Sequence, residues 1–75
     1  MAMATESPVS IVAHIGDTAG VVWRLLSENG TMSLNKLVKA AGEPRDTVMQ
    51  AVGWLAREDK VVIEENRRIR VVSLR

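Results

Sequence analysis

Polar side chains able to address a nucleic acid gather in two places in this chain. Arg45, Thr47, Gln50 and Arg57 recur along residues 44–58, and Arg67 and Arg68 stand together with Arg70 close behind. Arg presents paired N–H donors to guanine or phosphate, and Gln offers a donor and an acceptor to adenine. Thr47 can touch a phosphate, while Lys36 and Lys39 can neutralise backbone charge. Acidic groups dilute this chemistry. Asp46 shares a helical face with Gln50 and Arg57, Glu43 precedes them, and Arg45, Arg57 and Lys60 are matched by Asp46, Glu58 and Asp59. The plain structural alternative is a solvated helix of mixed charge, since a committed DNA binder carries a strongly basic stripe.

Catalysis finds less support. His14 is the one histidine, with no second group at metal-ligand or triad spacing, so it reads as a packing or surface residue. Glu58-Asp59 and Glu64-Glu65 are adjacent pairs whose side chains diverge instead of converging on a substrate. No strand and no lysine frame Gly16 and Gly20 as a phosphate loop. The chain is expected to be no enzyme, with no cofactor, no metal and no small-molecule substrate. The absence of cysteine removes disulfides and thiolate chemistry.

A protein contact is the competing reading. Gly53 exposes backbone and costs about 1 kcal/mol against Ala inside a helix, and Trp54 beside it is the kind of residue that anchors interfaces. With Val62, Val72 and Leu74 on a hairpin face in need of cover, these residues mark the expected interface of a homodimer.

The elements that position these groups can be read from periodicity. Residues 1–8 are expected to be a flexible start, and 9–75 one domain. Val9 to Ile15 suits either a short strand or an extra helical turn. Ile15 to Asn29 carries Ile15, Ala19, Val22 and Leu26 on one stripe, widened by Val21, Trp23 and Leu25, and predicts a helix stopped by Gly30. Ser33 is a fitting N-cap for a brief helix from Leu34 to Ala41, with Leu34, Leu37, Val38 and Ala41 inward. After Gly42 and Glu43, Pro44 suits the first turn of a third helix, 44–58, with Val48, Val52 and Leu55 on its core face. From Val61 to Leu74 the period becomes two. A three-residue loop at 65–67, pairing Ile63 with Ile69 and Val61 with Val71, matches apolar with apolar and places Val72 and Leu74 on the opposite face.

Seventy-five residues bound the possibilities. So short a chain buries about 60% of its unfolded surface, and with no Phe or Tyr its interior falls to Val, Leu, Ile and two Trp. A formal charge of +1 gives no strong field toward nucleic acid. No apolar run approaches the roughly 20 residues of a membrane span, and the first residues have no basic and apolar blocks of a secretion signal. A cytoplasmic protein is expected.

Helix, short strand, helix, turn, helix and hairpin is the order of an α+β winged helix-turn-helix, three helices followed by a C-terminal wing. The residues Ile15, Gly16, Ala19, Gly20, Trp23, Leu26 and Gly30, followed by Ala51, Val52 and the run Gly53-Trp54-Leu55-Ala56-Arg57-Glu58, sharpen that likeness. They resemble a family of very small prokaryotic winged helix-turn-helix proteins of unknown function. The resemblance spans about Ile15 to Leu74. It implies a stand-alone winged helix able to form homodimers, with a nucleic-acid role and no established site residues. On this footing the expected function is DNA binding of transcription-regulator type, with helix 44–58 as recognition helix, hairpin 61–74 as wing and double-stranded DNA as partner. The alternative is a protein-interaction winged helix that does not bind DNA.

Overall fold

In the computed structural model, which describes the backbone of residues 2–75 and the side chains of 11–75, six elements follow one another. They are α1 (Ala2–Asn29), β1 (Met32–Ser33), α2 (Leu34–Ala41), α3 (Arg45–Arg57), β2 (Val61–Asn66) and β3 (Ile69–Leu74). The strands form one antiparallel sheet in the order β1-β3-β2. This is the expected α+β winged helix-turn-helix.

Each helix ends as its residues dictate. Gly30, at φ +77°, donates its N–H to Leu26 O at 2.8 Å and turns the chain out of α1. Ser33 Oγ accepts from Lys36 N at 3.2 Å, capping α2, and Gly42 closes it in the left-handed conformation. Pro44 then caps α3 in place of opening its first turn; its carbonyl accepts from Val48 N at 3.1 Å. Beyond Arg57, Lys60 N bonds Leu55 O and Asp59 N bonds Ala56 O, with Asp59 itself at φ +65°. That is the paired-bond ending usually given to glycine.

Ala19, Val22 and Leu26 of α1, Leu34 and Leu37 of α2, and Val48, Ala51, Val52 and Leu55 of α3 interlock over Val61 and Val72 of the sheet. The faces of α2 and α3 are those the periodicity predicts, as is the Ala19, Val22 and Leu26 stripe of α1, whereas Trp23, expected to widen that stripe, is exposed. Thr18 is an addition, buried as fully as the apolar residues because its hydroxyl donates to His14 O at 2.8 Å within its own helix.

Two expectations need correction. The first helix begins at Ala2, not Ile15, so the undecided segment 9–14 is helical. The hairpin does not turn through a three-residue loop. Ile63 pairs with Val72, Val61 with Leu74 and Glu65 with Arg70, leaving a two-residue turn at Arg67-Arg68. Both turn residues have positive φ, +51° and +72°, the type I′ geometry whose twist matches that of the flanking strands. Relative to the expected register, β3 is displaced by three places. Since three is odd, every β3 side chain changes face. Val72 therefore lies in the core with no exposure, and Leu74 packs against that core. Neither belongs to an apolar outer face. The strand that decides this is β1, whose Met32 pairs with Val72 on the far side of β3; pairing arguments confined to the hairpin leave it out.

Candidate nucleic-acid interface

The N-terminal ends of α2 and α3 come together across the tight turn, and the wing folds beside them. Arg45 Nη1 donates to Asn35 Oδ1 at 2.8 Å, so the guanidinium at the start of α3 is held by the second residue of α2. Opposite stand Arg68 and Arg70 of the wing. Between them runs an open groove of about 330 Å³, lined also by Ser33 and Glu65. Three guanidinium groups against one carboxylate give the groove a positive balance, and planar forks of this kind match phosphate oxygens well.

The wing tip carries a second signal. Left-handed conformations cost an L-residue roughly 1–2 kcal/mol, and a type I′ turn is ordinarily filled by Asn-Gly. Here both positions are arginine, at φ +51° and +72°. Strained backbone of this sort collects where a side chain has work to do.

The structure divides the sequence-derived residues into groups. Arg45 and Arg68 meet across the groove, with Arg67 exposed on the same turn. Lys36 is exposed on the first turn of α2, outside the groove lining. Thr47, half-buried, and Gln50, exposed, lie on the other flank of α3, facing Ile11, His14 and Ile15 of α1 across a separate groove. His14 is at the surface as expected, its Nε2 2.8 Å from Glu43 Oε1. That contact ties α1 to the α2–α3 turn and occupies one carboxylate counted against DNA. Arg57 is exposed at the far end of α3 and lines neither groove.

Asn35 was not among the sequence candidates, though its place at the start of α2, opposite the start of α3, was a usable signal. Arg70 reaches the groove only because of the corrected register, which turns it from the outer face toward α3. Next to it, Leu34, Met49, Val52, Gly53 and Ile63 line a shallow apolar cleft between α3 and the wing. Of the expected contact residues, Trp54 is 45% exposed, Gly53 is exposed and Val62 is half-buried on the outer sheet face.

The match that decides the lineage spans nearly the whole chain: residues 8–74 fit the model of the winged helix-turn-helix domain family DUF2582. The chain belongs to that family. The resemblance carried by Gly53 to Glu58 is thereby confirmed. An uncharacterised protein of Methanocaldococcus jannaschii is 39% identical over 64 residues, which cover 81% of this chain and 90% of that one. The solution NMR structure of protein BT2368 from Bacteroides thetaiotaomicron is similar with a TM-score of 0.75 and 35% identity, covering 83% of this chain and 76% of the other. Bordetella bronchiseptica BpsR, described for the regulation of its DNA binding by 6-hydroxynicotinic acid, is similar with a TM-score of 0.74 over 100% of this chain and 68% of its own. At 18% identity that likeness is one of fold.

Proposed function

We propose that this chain is a non-catalytic, cytoplasmic DNA-binding protein of transcription-regulator type that works as a homodimer. In this reading α3 and the wing form the contact surface. The observation that carries it is the groove where Arg45, Arg68 and Arg70 converge, together with two arginines held at strained turn positions beside it. BpsR, a protein of the same fold whose DNA binding is regulated, supports the class. Arg45, Arg67, Arg68 and Lys36 serve as phosphate contacts that set position, and Gln50 and Arg57, exposed on α3 outside the groove, read base edges beyond it. With a formal charge of +1, affinity rests on this local field, and binding falls steeply as salt rises.

The test is fluorescence anisotropy of a mixed-sequence duplex titrated at several salt concentrations. Binding at low salt, with a salt slope reduced by roughly 0.9 for each phosphate contact removed in Arg67→Ala/Arg68→Ala, is the expected result. No binding at low salt overturns it. A second reading is favoured by the apolar cleft of Met49, Gly53 and Ile63 beside the wing: a protein-interaction winged helix, for which duplex DNA leaves anisotropy unchanged.

A further inference from the structure

Among the described residues, the outer face of α1 has no partner within the chain. At 100° per residue, Ala13, Gly16, Gly20 and Ser27 line it, all exposed. A Cβ built on Gly16 or Gly20 meets nothing within 4 Å, so no packing among the described residues requires glycine there. Each nonetheless weakens the helix relative to Ala, the better helix former. On one flank of this face Trp23 is 46% exposed, and with Trp54, 45% exposed, it walls a trough of about 300 Å³ whose floor is Gly16 and Gly20. On the other flank lie Asp17 and Arg24, exposed and, among the described residues, in no ion pair.

We propose that α1 is the homodimer interface, two copies crossing antiparallel about a two-fold axis level with Gly20 and Val21. This rests on the homodimer reading above and replaces the α3–hairpin surface expected for it. Two independent features select the same axis. Asp17 and Arg24 are seven residues apart, two helical turns on one flank. An antiparallel two-fold through their midpoint sets Asp17 beside the partner subunit's Arg24, and Arg24 beside the partner subunit's Asp17. The same axis brings the partner subunit's Trp23 level with the turn between Gly16 and Gly20. The indole then lies over the glycine floor of the trough, where missing Cβ atoms leave it room. In such an isologous contact every interaction occurs twice. The charges fix orientation and register, while the buried indoles supply the affinity.

Sedimentation equilibrium of the full chain over a wide concentration range, with tryptophan emission recorded on dilution, tests this. Asp17→Arg and Arg24→Asp each place like charges together twice, and each is expected to weaken self-association about tenfold or more. The double swap D17R/R24D restores the pairing and should return association to within about threefold of the natural chain, as a coupled pair does in a double-mutant cycle. Gly20→Leu, placing a better helix former in open space, should keep the fold by circular dichroism and abolish association. Tryptophan emission should shift red on dilution. A chain that remains monomeric at high concentration overturns both the dimer and this surface. A chain that associates but is indifferent to the single reversals, or is not rescued by the double swap, keeps its dimer and overturns the α1 interface.

Discussion

Asp46 lies in the first turn of α3 and Arg57 in the last, each opposing the helix dipole. Their outward face is the one a recognition helix offers to DNA, so one residue answers to two demands. Asp46→Asn should lower stability by about 0.3–1 kcal/mol through the lost dipole interaction, read by urea denaturation. It should also raise affinity for duplex DNA, because a negative charge leaves the surface proposed to face phosphates. A variant that loses stability without gaining affinity would remove α3 from the contact. Leu37 behaves differently, having no exposure and lying in the core that the three helices share with the sheet. Leu37→Ala should cost about 2–5 kcal/mol, enough to unfold much of so small a domain near room temperature. A cooperative thermal melt little changed from the natural chain would contradict that placement.

The wing gives the same opposition at the level of an element. A type I′ turn made of Arg67 and Arg68 is conformationally poor and electrostatically useful. Replacing it by Arg67→Asn/Arg68→Gly should stabilise the chain by about 1–2 kcal/mol by removing left-handed strain, visible as a higher melting temperature. The same variant should bind DNA more weakly and with a shallower salt slope. Falling stability would mean that the arginine side chains hold the hairpin together, and the functional reading of the strain would be lost. The hairpin also marks where sequence reasoning failed. Its strands were legible from period two and β-branched residues. Its register was not, because two apolar choices of partner for Ile63 differ only through what covers each face. Met32 on β1 and the helices above Val61 and Val72 supply that cover, and both are distant in sequence.

For the whole molecule, size sets the terms. A 75-residue chain leaves Ile11, Val12, Trp23, Met49, Trp54, Ile63 and Ile69 substantially exposed. It is also drawn out to 46 Å along one axis against 21 and 19 Å across the others. The long axis is close to the ~42 Å of a 28-residue helix such as α1. Association that covers α1 should therefore couple to folding, and the melting temperature should rise with protein concentration, since a partner that binds only the folded chain stabilises it by mass action. A melting temperature independent of concentration would detach the dimer from the stability of the fold.

Local chemistry determined much of this protein directly. Gly30, Ser33, Gly42 and Pro44 punctuate the helices because caps and breaks depend on a residue and its immediate neighbours. The faces of α2 and α3 followed from spacing alone, as did the order of elements that makes a winged helix. The composition of the wing tip, two adjacent arginines, was also plain. Tertiary structure decided what depends on partners remote in the chain. It turned Arg70 toward α3 and took Val72 into the core, joined Arg45 to Asn35, and sent Thr47 and Gln50 to the side of α1 away from the wing. Burial and convergence are properties of surfaces brought together. Periodicity says which side chains share a face, but only the fold says what that face meets.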